Sequence, residues 1–571
     1  MLHEMLTKNK ILANFFIGNK LIILVTFLVS LLSNIFTIII PVSIGRFYNL
    51  VFGLNTHRSQ VLGFLPDWFW DTIPSFLTFF MVLVLLKIIF DFLQRYQVGR
   101  VGEKMLLFIR NKLFLSQLQM PMQIYDEKGI GKYLLRHSGD LKSTQNYVTK
   151  GLIGFMVDAL LLSLVLVTIG ILDKGLLLII LGFLPVFGGL MFILNRALHD
   201  RSLVQRNYKA GLLSYVNATL RSILSLKAFN RLGPEMNRYC KRSEKVYKAG
   251  IRYHRVNSII MAIIPGLLYV MLFAILYYTY YQYEYGNANI DAGALLASIL
   301  LLITGMPVFR RTLRVNTVWE LGNISFRKLL IVLNHTPVSE EPLPSFRFKQ
   351  GKIVFQSVTF QYPGAGKKFL FSDFTIPAGR ITCIQGRTGS GKTTLLKLLA
   401  GLYLPTKGKI LFDGQHTKLV DKKSLRKAIT IVPEDWPFFG RTVFEAISYS
   451  RKAAKRAKAQ ETLDFIQKNC PGKLKLSLDT KIGDLGSNLS KGQKKLLAYT
   501  RALLTGKPVV VIDEPFSGLD EASRRHMADL INSLKGEKTV IILDQCVPDD
   551  YIDVDHSFTL DNTIDHSLSI K

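Results

Sequence analysis

Along the first half of the chain, apolar positions fuse into six runs, near 21–45, 74–96, 151–172, 175–195, 257–281 and 292–309. About 20 apolar residues carry a helix across a bilayer, so each run is predicted to be a membrane-spanning helix. The connections between them alternate in character. Segment 52–73 has one basic residue, Arg58, beside Trp68-Phe69-Trp70. Only Leu172-Asp173-Lys174 separates the third and fourth runs, and 282–291 carries Glu284 and Asp291 with no Lys or Arg. By contrast, 95–150 holds ten Lys and Arg and 196–255 holds fourteen. Basic loops stay on the cytoplasmic side. Both long loops and both termini are therefore expected in the cytoplasm, with Trp68 and Trp70 at the outer interface. The long loops keep helical spacing, as at Leu106, Leu107, Ile109, Leu113 and Phe114. Ahead of the first run, Glu4, Lys8, Lys10 and Lys20 with no obvious cleavage site read as a cytoplasmic start and first anchor.

After His335–Pro344, a polar and proline-rich stretch, the pattern becomes that of a soluble α/β domain. Ile353–Gln361 alternates as a strand, and Val509–Asp513 is a short continuous apolar strand. The expected organisation is a membrane domain over 1–335, a linker over 336–345 and a nucleotide-binding domain over 346–571. The fold class is multi-domain: an α-helical six-span part followed by an α/β P-loop NTPase.

The P-loop lies in Ile381–Thr394, which runs as strand, glycine-rich loop and helix with the spacing Gly386-x-x-x-x-Gly391-Lys392-Thr393. Glycines let consecutive backbone N–H groups wrap a phosphate chain at a helix N-terminus, where the dipole favours negative charge. The phosphate-binding set is Gly386, Arg387, Thr388, Gly389, Ser390, Gly391, Lys392, Thr393 and Thr394. Lys392 is expected to neutralise the terminal phosphates and Thr393 to ligate Mg²⁺. Asp513, at the end of the later apolar strand, suits the Mg²⁺ shell, and Glu514 suits the polarisation of an attacking water. ATP and Mg²⁺ are the implied cofactors.

Composition changes the picture in one respect. The chain of 571 residues is 49% hydrophobic yet carries 72 Lys and Arg against 41 Asp and Glu, a net charge of +31. No basic run is interleaved with aromatics in a recognition module, and the charge sits in the loops of a membrane protein, so nucleic acid is excluded as a partner. The partner implied by the spans is the lipid bilayer. Cys240, Cys383, Cys470 and Cys546 have neither metal nor redox spacing.

Ionisable residues inside spans call for explanation. Lys87 and Asp91, four apart, can pair on one helix face or mark a pathway. Asp158 faces either a wet cavity or a neighbouring helix. Arg310, Arg311 and Arg314 either snorkel to the inner interface or form a basic vestibule for an acidic headgroup. Asp158 and the three arginines are the candidate substrate contacts.

Several segments resemble the exporter-type half-transporters of the ABC family. They are Arg110-x-x-Leu113-Phe114, Pro121, Tyr125-Asp126, Gly131 and Arg136-x-x-x-Asp140 in the first long loop, Arg221–Asn230 in the second, and Leu489-Ser490-Lys491-Gly492-Gln493 before an amphipathic helix. The resemblance covers nearly the whole chain. It implies coupling-helix tips near 136–144 and 214–222, an adenine-stacking Tyr362, and a signature segment (Ser490, Lys491, Gly492, Gln493) that contacts ATP held by another chain. It also places Asp520 in the loop after Glu514 that the family calls the D-loop. Three positions depart from the family pattern: Glu434 stands where the family has Gln, Gln545 where it has the switch histidine, and Lys491 where it has the first signature glycine. Glu434 still suits Mg²⁺ as a ligand and Gln545 still suits the γ-phosphate. Together the three departures lower the expected hydrolysis rate without removing binding.

The function implied is ATP-driven export or flipping of an amphipathic substrate (lipid, peptide or small molecule), by alternating access, in a homodimer or a heterodimer. Catalysis is expected from Glu514, Gln545 and Glu434, in a bacterial cytoplasmic membrane. The alternative is an ATP-binding regulatory or gating subunit that does not pump.

Overall fold

Each apolar run becomes part of a helix, and most of those helices outgrow a bilayer. The computed structural model describes residues 2–52, 72–137, 139–284, 292–334, 343–362, 368–449, 455–469, 476–546 and 551–560. A first helix, α1 (Leu2–Gly18), precedes α2 (Lys20–Val51) and α3 (Ile73–Gln119). Short helices α4 (Met122–Lys128), α5 (Ile130–Leu134) and α6 (Gly139–Asn146) lead through a π-helical stretch, Tyr147–Gly154, into α7 (Phe155–Leu172). Then come α8 (Lys174–Arg221), α9 (Ile223–Ala228), α10 (Leu232–Glu284), α11 (Ala292–Leu313) and α12 (Val315–Asn334). Six stretches among the described residues are long and apolar enough to span a membrane, one for each expected run. At 48 residues α8 alone is about 70 Å long, more than twice the hydrocarbon thickness.

The break at residues 172–174 has a local cause. Asp173 is extended (φ −156°), and its carboxylate accepts from the backbone N–H groups of Gly175 (2.7 Å) and Leu176 (3.2 Å), capping α8. Inside the apolar helices, hydroxyls return to the backbone one turn earlier: Thr26 to the Ile22 carbonyl, Ser30 to Thr26 and Thr37 to Ser33, each at 2.7 Å. Helices α2 and α11 approach closely at glycines. A Cβ on Gly45 would lie 2.3 Å from the Gly293 carbonyl oxygen, so neither position admits a side chain.

The second half folds around two sheets. Strands β1 (Ile353–Gln361), β2 (Lys368–Phe371), β3 (Phe374–Ile376), β5 (Lys407–Phe412) and β6 (Gln415–His416) form an antiparallel sheet. Strands β4 (Ile381–Gln385), β7 (Ile429–Val432), β8 (Val509–Asp513), β9 (Thr539–Asp544) and β10 (His556–Thr559) form a parallel sheet in the order β10-β4-β9-β8-β7. All five residues of β8 are buried, as its continuous apolar run requires of a central parallel strand. The register pairs Gln385 with Asp544 and Asp513 with Leu543. The carboxyl ends of β4, β9 and β8 are thus brought level, at the sheet edge where α/β proteins place their ligands. The helices are α13 (Lys392–Leu399), α14 (Lys422–Ala428), α15 (Val443–Ser448), α16 (Arg456–Asn469), α17 (Lys491–Thr505) and α18 (Glu521–Ser533).

The chain divides into two compact units, Met1–Leu118 with Gly131–Thr336, and Gln119–Ile130 with Pro337–Lys571. The assignment of all of 1–335 to one domain is thereby amended. Residues 119–130 belong with the second unit because α4 is held there by charge: the Asp126 carboxylate accepts from Lys397 Nζ (2.9 Å) and from the Tyr403 hydroxyl. The tip of the first long loop is α4 rather than 136–144, where Arg136 and Asp140 pair at 2.6 Å within the first unit. The second tip is α9, just past the expected 214–222. Most of the linker, Trp68, Trp70 and Cys470 lie outside the described residues.

Candidate nucleotide site

Strand β4 delivers the chain to Gly386, whose N–H donates to the Asp544 carbonyl (3.1 Å). The loop then turns through Gly389 (φ +83°) and Gly391 (φ +104°), conformations that side-chain-bearing residues rarely adopt. A Cβ on Gly386 would meet Ser390 Oγ at 2.4 Å, so the loop closes only around glycine. Arg387, Thr388, Gly389 and Thr393 face solvent, whereas Lys392 is buried, its ammonium donating to the carbonyls of Gly386 and of Arg387 (3.3 Å). The result is a preformed cradle, with a lysine folded back over its own loop. The Thr394 side chain is turned inward, its hydroxyl 3.0 Å from that of Tyr362. Tyr362 is half-buried, edge-on to Phe360 and Tyr403, so the expected adenine-stacking ring is tied to the P-loop helix.

Two carboxylates follow β8. Asp513 is 8% exposed, and burial pushes its carboxyl up to about 6 while Lys495 pulls it back. Glu514 adopts φ 47°, a left-handed conformation costly for a glutamate, while its N–H donates to the Leu543 carbonyl (2.9 Å). The turn fixes where its carboxylate begins. Glu514, Glu434, Lys392 and Lys495 all lie within electrostatic reach of Asp513. Asp544, also held up by burial, feels Glu514, Lys392 and Lys495 and accepts from the Gln545 N–H (2.6 Å). The Gln545 side chain is exposed.

These residues fit a Mg²⁺ ion. Among the described residues no group of three His, Cys, Asp or Glu side chains forms a closed metal site. Mg²⁺ needs none here, since it is held by one or two protein ligands together with phosphates and water. Asp513 is a buried carboxylate whose ionisation is penalised, which a divalent cation would reverse, and the exposed Thr393 hydroxyl supplies the neutral ligand. The same burial makes a prediction. Folded Asp513 keeps its proton to about pH 6 against 3.8 for the free group, so stability is lost as pH rises from about 4 to 6 and stays lost at pH 7. Asp513→Asn is therefore expected to raise the metal-free melting temperature at pH 7 by about 2–6 °C, with the gain shrinking below about pH 6 and vanishing below about pH 4. A scan of the full chain in EDTA checks this; an unchanged or lower melting temperature at pH 7 counts against it.

The signature segment caps α17. Ser490 Oγ accepts from the Gln493 N–H (3.2 Å), and Gln493 Oε1 accepts from the Ser490 N–H (3.0 Å), a reciprocal capping box. Gly492 is the position where bulk is forbidden: a Cβ there would lie 2.8 Å from the Gly518 carbonyl. At position 491 a side chain is accommodated, and Lys491 reaches Glu434 (3.2 Å), so two of the three departures pair within one chain. Asp520 caps α18, its carboxylate accepting from the Ser523 N–H (3.1 Å).

Sequence reasoning missed two residues here. Asp544 precedes Gln545 at a strand end and was visible as an extra acid. Lys495 sits three residues after Gly492 and four before Tyr499, on the buried face of α17, and that spacing was the available signal.

In the first unit, Asp158 and Arg311 are not free substrate contacts. Arg311 grips Asp158 through two hydrogen bonds, Nε at 3.0 Å and an NH2 at 2.7 Å, so its guanidinium is paired although the side chain stays largely exposed. Arg314 reaches only the neutral Asn257 Oδ1 (3.2 Å), and Arg310 Nε is buried with no hydrogen-bond partner among the described residues. Lys87 and Asp91 pair at 2.6 Å, with Thr37 and Ser33 completing their bonds, as the structural reading of that pair expects.

Residues 23–306 match the ABC transporter transmembrane region, and residues 371–517 match the ABC transporter family. An ATP-dependent lipid A-core flippase of Haemophilus influenzae is 25% identical over 469 residues, covering 81% of this chain and 79% of that protein. One of the same description from Mannheimia succiniciproducens is 26% identical, covering 84% and 83%. The structure of a bacterial Atm1-family ABC exporter with ATP bound superposes with TM-score 0.77 at 20% identity, over 95% of this chain and 94% of that one.

Proposed function

Because the chain belongs to the ABC transporters as an exporter-type half-transporter, we propose that it pairs with a second copy of itself and uses ATP to flip an anionic, amphipathic lipid. The observation that carries the substrate class is the pair Arg310 and Arg314, which have no carboxylate partner among the described residues while Arg311 is neutralised by Asp158. Unpaired cations in an apolar bundle are expensive, and an acidic headgroup is the ligand they suit. The naming of two relatives as lipid A-core flippases agrees with a lipid substrate. Membrane residence follows from the six spans; cytoplasmic termini and a bacterial inner membrane are inferred from the basic loops and the relatives.

Two observations favour a second copy as partner. Helix α9 has no buried residue, and Leu224 and Phe229 are 81% and 78% exposed, an apolar tip suited to another subunit. In the ATP sandwich that the family resemblance implies, Glu434 of one chain and Lys491 of the other serve the same nucleotide. Identical chains would then match the added negative charge with an added positive one, as they already do within one chain. In this reading Lys392 and the loop N–H groups hold the phosphates, and Thr393 and Asp513 hold Mg²⁺. Glu514 takes the proton of the attacking water, and Gln545 bonds the γ-phosphate. Mg²⁺, when bound, neutralises phosphate charge.

The test is ATP turnover of the purified chain in nanodiscs of zwitterionic lipid against nanodiscs containing anionic lipid. Stimulation of about threefold or more by the anionic lipid is expected, and its loss in Arg310→Gln/Arg314→Gln with ATP affinity retained. Equal stimulation in the double variant removes the arginines from the substrate site.

A further inference from the structure

Three consecutive connections tie the start of α17 to the turn after β7. Lys491 pairs with Glu434 (3.2 Å), Lys494 with Asp435 (3.4 Å), and Lys495 Nζ donates to the Pro433 carbonyl (3.2 Å). The first two are exposed and weak. The third differs in kind. Lys495 is 1% exposed, among the largest fully buried side chains, and its ammonium also donates to the Asp513 carbonyl at 2.5 Å. One buried cation therefore bonds the backbone on both sides of the site, ahead of Glu434 and at the Mg²⁺ carboxylate.

Packing does not account for a lysine here. An ammonium taken out of water is unfavourable beside an apolar side chain of the same length, unless fixed partners and nearby negative charge offset it. Both are present. The two carbonyls accept its protons, and Asp513, Glu434, Glu514 and Asp544 surround it electrostatically, against the burial that lowers its pKa to about 8. The site thus gathers four carboxylates against Lys392 and Lys495, with the uncharged Gln545 where the family has a histidine.

We infer that Lys495 is a positioning residue for hydrolysis, holding the Glu434 turn and the Asp513–Glu514 carboxylates at a fixed spacing while its charge balances theirs. The inference rests on the reading of Asp513 and Glu514 as the Mg²⁺ and water carboxylates. Glu434 lies in the turn just past β7 and Asp513 ends β8; the two strands pair from Ile429 with Val509 to Val432 with Ile512 and then part. Lys495 bridges them where the ladder ends. The capping box and the close approach of Gly492 to Gly518 hold α17 in register, so the bridge is rigid at both ends.

The experiment compares the full chain in nanodiscs with Lys495→Met, which keeps the length and removes charge and donors, and Lys495→Gln, which keeps a donor. Backbone hydrogen exchange, ATP affinity in EDTA and turnover with Mg²⁺ are read together. In both variants exchange at 434–435 and at Glu514, whose N–H bonds the Leu543 carbonyl, is expected to rise by about tenfold or more, with that of 387–392 unchanged. Metal-free ATP affinity stays within about threefold, and kcat falls about tenfold or more with little change in KM. Unchanged exchange at those positions overturns the inference, as does general loss of protection and of metal-free ATP binding, which marks an ordinary core residue. Should the unsubstituted chain show no turnover alone, exchange and metal-free binding still decide the role of Lys495, and the missing turnover counts against the hydrolysis reading instead.

Discussion

Glu514→Gln is expected to lower ATP turnover by at least about a hundredfold while leaving ATP affinity within about threefold. Glutamine has the same shape and keeps the hydrogen-bonding reach, but it cannot take a proton from water. The backbone supports that division of labour. Glu514 is held at φ 47° by the turn after β8, so the substitution changes the acid and not its placement. The phosphates depend on other residues, the loop N–H groups and Lys392. Lys392→Ala is accordingly expected to fail earlier, at binding, because the only buried ammonium in the cradle is removed. Steady-state turnover with a separate nucleotide-binding measurement separates the two. A Glu514→Gln variant with turnover within threefold of the parent would reassign the base, with Asp544 the next carboxylate to test.

Arg311→Met is expected to destabilise the membrane unit by about 2–4 kcal/mol, because it leaves the Asp158 carboxylate buried and unpaired. Among the described residues the two hydrogen bonds from Arg311 are the only ones that carboxylate accepts, and they join α11 to α7 across 153 positions of sequence. Replacing both residues removes the stranded charge. Arg311→Met/Asp158→Leu is therefore expected to recover most of the loss, so the two changes are strongly non-additive. Thermal unfolding of the full chain reads both. Equal destabilisation in the single and double variants would show that the pair matters for packing rather than charge.

What the sequence carried depended on how local the signal was. The six spans were legible because each is one contiguous run, and the P-loop because its glycines, lysine and threonine lie within one turn of chain. The strand ends carrying Asp513 and Asp544 were legible as apolar runs meeting acids, although only the register of β4, β9 and β8 shows them level. Pro121, Gly129 and Gly131 break the helical spacing at several points between 120 and 144, so the pattern did not single out α4 as the tip, and its place follows from Asp126 meeting Lys397 and Tyr403 far along the chain. Arg311 with Asp158 and Lys491 with Glu434 were hidden for the same reason. Each residue looked like an isolated oddity until the fold supplied its partner. Within the chain, Gly492 is the signature position where the Gly518 carbonyl comes close, which the spacing alone did not single out.

ATP use by this chain is proposed to move an anionic lipid. The most direct measurement reconstitutes the chain alone in liposomes with a fluorescent anionic lipid and follows its appearance in the opposite leaflet with ATP and Mg²⁺. ATP-dependent flipping is expected, lost in Glu514→Gln and weakened in Arg310→Gln/Arg314→Gln. Nucleotide binding that alters the protein but drives no lipid movement, in a chain shown to bind ATP normally, would contradict it and favour a regulatory subunit.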